Sequence, residues 1–207
     1  MSNKASLKLK DPDRNDVEAV CLDGTAFMLR RLASEGPAAD RAPQMMLYGQ
    51  FVGSWEGTVV VHLPDGARRE STCEVHFGWA LEGRAIQDVW IAPVLRGRKM
   101  GEQSRMYGTT LRVYDPKSDL WHITWIDPVR QSFNRMDGRK VGEEIVQENR
   151  DAQGARCQWL FTEITADSFH WIARESTDDG KIWKLTGEFF MRRVLAETKG
   201  RPRFGGP

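Results

Sequence analysis

Residues 84–91 carry an arginine, an aspartate and a tryptophan at even spacing: Arg84, Asp88 and Trp90, with Ile86 between them. On a β-strand, side chains two apart share a face, so these four stand together and Ala85, Gln87, Val89 and Ile91 take the other side. A charge pair beside a large ring is what a pocket needs to orient a mostly apolar molecule. Two placements are open. Turned outward, Arg84 and Asp88 form a surface pair worth only ~0–1 kcal/mol, and Trp90 leaves its ring in water. Turned inward, Trp90 recovers burial at ~25 cal/mol per Å². The tryptophan contribution is the larger, so Arg84, Asp88 and Trp90 are expected to face an interior. There the two charges would need each other, because an unpaired interior charge is far more costly than a paired one.

Other chemistry-bearing residues are scattered. His62, His76, His122 and His170 lie singly, without the spacing of a helical metal site. Burial would perturb any acid or base among Asp88, His122, Asp127, His170 and Glu188 enough for catalysis, if one of them lined an apolar cavity. No nucleophile elbow, phosphate loop, HExxH or dinucleotide fingerprint occurs. Asp137-Gly138 and Asp179-Gly180 read as turns rather than calcium loops. Cys21, Cys73 and Cys157 are odd in number and form no CxxC pair, which points away from both a disulfide framework and a zinc site. Arg96, Arg98 and Lys99 make a basic loop that reads as solvated, though it could meet an anion.

The elements that position these residues are strands. From Leu47 onward, alternating segments are punctuated by turns such as Pro64-Asp65-Gly66, Glu82-Gly83, Asp115-Pro116 and Asp151-Ala152-Gln153-Gly154. The spacing predicts about ten strands joined by short hairpins, an antiparallel meander whose edges are hidden by closing on itself. Trp55, Gly57, Val59 and Val61 would face inward, as would Val75, Phe77 and Trp79, with His76 outside. Trp121, Ile123 and Trp125 share a face, as do Cys157, Trp159 and Phe161, and Phe169, Trp171 and Ala173. Eight tryptophans is an unusual count, and they can fill the core of a sheet or line a ligand cavity. Any single aromatic stripe reads as core, but collectively they read as a cavity wall. Ahead of the barrel, Thr25 to Ala33 has helical spacing, ended by Gly36-Pro37, and residues 36–46 read as a linker. Three regions follow: an N-terminal extension over 1–46, a barrel over 47–193 and a flexible tail over 194–207.

Phe51-Val52-Gly53-Ser54-Trp55-Glu56-Gly57 resembles the Gly-x-Trp motif on the first strand of lipocalins and fatty-acid-binding proteins. There the glycine lets the strand bend and the tryptophan plugs the closed end of the barrel. The longer Gly-x-Trp-x-Gly form is similar to that of nitrobindins, ten-stranded haem-binding barrels. His76-Phe77-Gly78-Trp79-Ala80-Leu81-Glu82-Gly83-Arg84 and Asp178-Asp179-Gly180-Lys181-Ile182-Trp183 resemble a family of bacterial lipocalin-like (calycin) proteins. The likeness covers about Leu47 to Arg193 and implies an all-β, closed up-and-down barrel around one small ligand. Nitrobindins hold haem through a histidine on a late strand. Here His170 falls on the penultimate strand and the last has none, so haem is not carried over.

The composition fits one globular domain of 207 residues with 30 basic and 29 acidic side chains, a formal net charge of +1. Near-neutrality gives no electrostatic footprint for nucleic acid. No run approaches the ~20 apolar residues of a membrane helix. The first residues lack the apolar core of a secretory signal, so a cytoplasmic protein is expected. The leading expectation is a cofactor-free barrel binding a small, largely apolar molecule, with Arg84, Asp88, Trp90, Trp55, Trp79, Trp125 and Trp171 as its ligand-binding residues. The alternative is a cofactor-free isomerase, cyclase or lyase on the same scaffold. A third reading is a structural or homodimeric protein whose barrel is filled by its own tryptophans. The lack of ligand spacing gives a direct expectation: metal analysis of the purified protein returns no stoichiometric zinc, and its absorption spectrum shows no Soret band. About one zinc per chain, or such a band, would refute it.

Overall fold

The computed structural model describes residues 32–95 and 105–194. The helix read from Thr25 therefore lies almost wholly outside the described residues, as do Cys21, the basic residues Arg96, Arg98 and Lys99, and the tail from residue 195 on.

Ten strands follow one another: β1 (Gly53–His62), β2 (Arg68–Ala80), β3 (Ala85–Ala92), β4 (Met106–Asp115), β5 (Leu120–Asp127), β6 (Ser132–Val141), β7 (Glu144–Arg150), β8 (Arg156–Thr162), β9 (Ser168–Ser176) and β10 (Lys184–Arg193). Each pairs antiparallel with the next, and β1 pairs with β10, so the sheet is a closed up-and-down barrel. No helix among the described residues is long and apolar enough to cross a membrane.

Two local expectations are corrected. Asp137-Gly138 is not a turn: β6 runs through it, and the chain reverses at Gly142, whose φ is +61°. A Cβ on Gly138 would lie 2.6 Å from both the Tyr48 hydroxyl and Ile123 Cδ1, so this glycine provides room rather than a bend. Residues 36–46 are not a linker either. A 3-10 turn (Ala39–Arg41) leads into α1 (Ala42–Gly49). Pro43 stands in its first turn, where the missing N–H has no intrahelical partner to lose, so the proline starts the helix instead of breaking it.

Helix α1 closes one end of the barrel. Its Met45 and Tyr48 are fully buried. Tyr48 meets Trp121 edge-on at 4.9 Å, and Phe51 stacks on Phe161 at 4.7 Å and meets Phe169 at 5.1 Å. Trp55 is wholly buried in this cluster, its Nε1 donating to Phe51 O at 2.7 Å. From the last strand, the Arg193 guanidinium lies 4.1 Å over the Trp55 ring. It donates to the carbonyls of Gln50, Val52 and Ala166, each at 2.8 Å.

Gly53 adopts φ +126°, a conformation other residues rarely take, and this lets the chain swing from α1 into β1. Gly57 serves close approach: a Cβ there would meet Phe190 O on β10 at 1.9 Å. Gly57→Ala should force β1 and β10 apart and cost ~1–3 kcal/mol, read as a lower denaturant midpoint. An unchanged midpoint would show that the closing seam is looser than described.

Candidate functional site

The end opposite α1 is where β1 finishes and β2 begins, and it opens into a cavity of about 460 Å³ inside the barrel. Alternation on each strand decides what lines it. Strand β1 contributes Val59 and Val61, β2 Arg69 and Ser71, β3 Trp90 and Ala92, and β4 Met106, Thr110 and Arg112. The far wall is built by Trp125 of β5, Trp159 of β8, Trp171 and Ala173 of β9, and Phe189 of β10.

Four tryptophans form a continuous aromatic surface. Ring centroids are 6.2 Å apart between Trp125 and Trp159, 5.6 Å between Trp159 and Trp171, and 5.5 Å between Trp171 and Trp90. Phe189 meets Trp90 and Trp171 edge-on at 4.9 and 5.2 Å. Trp125 has room because it lies over Gly108, where a Cβ would come within 2.4 Å of its ring. Its Nε1 donates to Ser132 Oγ at 3.2 Å, while the indole N–H groups of Trp159 and Trp171 have no acceptor among the described residues.

The floor is an ion pair between Asp88 and Arg112, both fully buried. Asp88 Oδ1 accepts from Trp90 Nε1 at 2.8 Å and from the Thr110 backbone N–H at 3.1 Å, and Oδ2 accepts from Arg112 Nη1. Arg112 Nε donates to Gln147 Oε1 at 3.4 Å, and the guanidinium lies 4.9 Å over the Tyr48 ring. Burial pushes Arg112 down to about 10, with Tyr48 pulling the other way, so Arg112 is charged at neutral pH. Burial also lifts the Tyr48 hydroxyl far above its ordinary range, keeping it neutral beside the cation. With three donors on the carboxylate, one of them the Arg112 guanidinium, Asp88 is held as an anion.

Asp88 and Trp90 thus face the interior together, but Arg84 does not join them. It stands in the turn before β3, its side chain 48% exposed and 3.5 Å from Asp40. The turn takes positive φ at Leu81, Glu82 and Gly83, and the strand starts only at Ala85, so alternation does not reach back to Arg84. The partner of Asp88 comes instead from β4. Thr110 is its register partner, and Arg112, two residues on, shares the same face within reach of a long side chain.

Trp125 and Trp171 line the cavity, whereas Trp55 and Trp79 do not. Trp55 belongs to the closed-end cluster, and Trp79 packs against Gly49 of α1. Arg112, Trp159 and Phe189 are lining residues that the sequence reading did not single out as site residues. For Arg112 the sequence holds one signal: Gly108, an even number of residues away inside the same strand, is a glycine of the kind that marks a close approach, here that of the Trp125 ring.

The other acid–base candidates sit elsewhere. Asp127 is buried at the end of β5 and caps a turn, its Oδ1 accepting from the backbone of Val129 and Arg130 at 2.8 and 3.0 Å. His122 is exposed between Asp137 at 2.9 Å and Asp115 at 3.6 Å; the bond to Asp137 raises its pKa. His62 and His170 bond the two oxygens of Glu188, at 2.6 and 3.1 Å, on the outer face of β1, β9 and β10. None of these lines the cavity, and no cluster of metal-binding type occurs among the described residues.

No protein-family profile matches the chain, and no curated protein does. Solved structures do match. Rv2717c from M. tuberculosis superposes with a TM-score of 0.52 at 14% identity, over 74% of this chain and 99% of that one. The S-type phycobiliprotein lyase CPES from Guillardia theta gives 0.47 at 12% identity, over 78% and 100%. A redesigned β-barrel, mFAP0, bound to DFHBI, gives 0.34 at 17% identity, over 70% and 99%. The likeness to Rv2717c is one of fold alone, the closed antiparallel barrel described above.

The buried pair makes a sharp energetic expectation. Asp88→Ala or Arg112→Ala alone strands a charge in the interior and should cost ~3–5 kcal/mol. Asp88→Leu combined with Arg112→Met removes both charges and should recover much of that loss. Urea unfolding of the set measures the coupling; strictly additive losses would show that the two groups do not depend on each other.

Proposed function

We propose that the protein binds one small, largely apolar molecule inside the barrel. The observation that carries the proposal is the tryptophan wall of Trp90, Trp125, Trp159 and Trp171 around a cavity of about 460 Å³. A cavity of that size is in the range that takes a small organic ligand. The wall supplies flat, polarisable contact, and the indole N–H groups of Trp159 and Trp171 offer hydrogen bonds that none of the described residues takes. An open cavity also argues against a barrel filled by its own tryptophans.

Binding is favoured over acid–base chemistry by the state of the candidate groups. Asp88 is saturated by Trp90, Thr110 and Arg112. His122, His170 and Glu188 stand on the outer surface, and Asp127 caps a turn through Oδ1 with Oδ2 3.8 Å from Arg130 Nε. A general base must reach the proton it removes, and none of these lines the cavity. Membership of the bacterial lipocalin-like family, a cytoplasmic location and function without cofactor belong to the same proposal. The membership is supported by the Gly53-x-Trp55-x-Gly57 motif seated at a closed barrel end.

The neutral dye N-phenylnaphthylamine tests the proposal. It should bind one per chain, gaining fluorescence and quenching tryptophan emission. Ala173→Trp, which fills the cavity from β9, should weaken binding by roughly tenfold or more while leaving the unfolding transition cooperative. No binding to the parent, or equal binding to both proteins, would overturn the proposal.

A further inference from the structure

The cavity is apolar along its walls but not at its mouth. Arg69, Arg105 and Arg130 all line the open end, against one acidic lining residue, Glu70. Strand alternation separates the first of these from Glu70. Arg69 pairs in register with Val61 and Ser71 with Val59, and both valines line the cavity, so Arg69 is on the inner face; Glu70, opposite Val60, is on the outer one. The side chains of Arg69 and Arg105 have no hydrogen-bond or ion-pair partner among the described residues. Arg130 is tied beside Arg105, its Nε donating to Arg105 O at 2.9 Å, with Asp127 Oδ2 at 3.8 Å. The fourth lining arginine, Arg112, is neutralised by Asp88 on the floor. The positive charge left unpaired, that of Arg69 and Arg105, is therefore concentrated at the mouth, at the rim of a low-dielectric cavity where a counter-charge is attracted more strongly than in open water.

We infer that the molecule held here is an amphiphile: an apolar, ring-bearing body lies along the tryptophan wall, and an anionic head group meets Arg69, Arg105 and Arg130 at the open end. The inference rests on the cavity reading above and adds the charge and orientation of the ligand. A guanidinium offers several donors to a carboxylate, sulfonate or phosphate oxygen, and the arginines stand where the head would remain partly hydrated. A ligand entering this way goes in tail first, and its head stops at the rim, since the floor presents a cation already matched by a carboxylate.

Two dyes with the same aromatic body separate the claims: anilinonaphthalene sulfonate, which is anionic, and N-phenylnaphthylamine, which is neutral. The parent protein should bind the sulfonate roughly tenfold more tightly, and added salt should erode that preference. Arg69→Ala with Arg105→Ala should remove most of the preference and leave the neutral dye within about twofold of the parent. Arg69→Lys should keep most of it. Both arginines are exposed, and unfolding midpoints of the variants should match the parent. If the parent binds the two dyes equally, the anionic head is refuted while the cavity reading stands. If the preference survives in the double variant, the assignment to the rim is refuted. If the neutral dye fails to bind the parent at all, the cavity reading falls and this inference with it.

Discussion

Everything in this molecule depends on the pairing of β1 with β10. That seam turns a meander into a ring, so every strand has a neighbour on both sides and none is an edge strand. Closure also creates a problem of volume. A ring of ten strands encloses more space than its own side chains fill. At one end the space is taken by α1 and the rings of Phe51, Trp55, Phe161 and Phe169. Toward the other end it is left as a cavity, and that division determines where a ligand can be held.

The Asp88–Arg112 pair marks the border between the two halves. Below it, Arg112 lies within 6 Å of the Tyr48, Phe77 and Phe161 ring centroids, whose faces favour a cation. Above it, Trp90 uses its N–H to hold Asp88 and its ring to join the wall. A buried pair of this kind is a weak source of net stability, because desolvation offsets most of the attraction. Its structural effect lies in geometry. The carboxylate fixes the orientation of the Trp90 indole and the position of the Thr110 backbone, and so sets one wall of the cavity.

The strands were legible because alternation and turn chemistry are local: β1 to β10 follow the spacing of the turns with little error. The failures have a common origin in information that only register supplies. Alternation correctly turned Asp88 and Trp90 inward, but Arg112 is 24 residues from Asp88, and only the β3–β4 register brings them together. The tryptophans show the same limit. Period-two patterning tells inside from outside, yet not height along the barrel axis. Trp55 and Trp79 therefore read the same as Trp125 and Trp171, though the first two lie in the packed half and the others around the cavity. Asp137-Gly138 reads as a turn for a related reason: a group that needs the missing Cβ of Gly138 is Tyr48, far off in the chain on α1.

The clamp of Arg193 on Trp55 joins the first strand to the last. Contacts of such sequence separation must close a very long loop before they return any energy, and folds dominated by them are slow to form, in the ms–s range for comparable topologies. During synthesis, the pocket cannot take its final shape until residue 193 has left the ribosome. Until then β1 stands as an open edge, and the aromatic wall that recognises the ligand is equally able to recognise another unfinished chain.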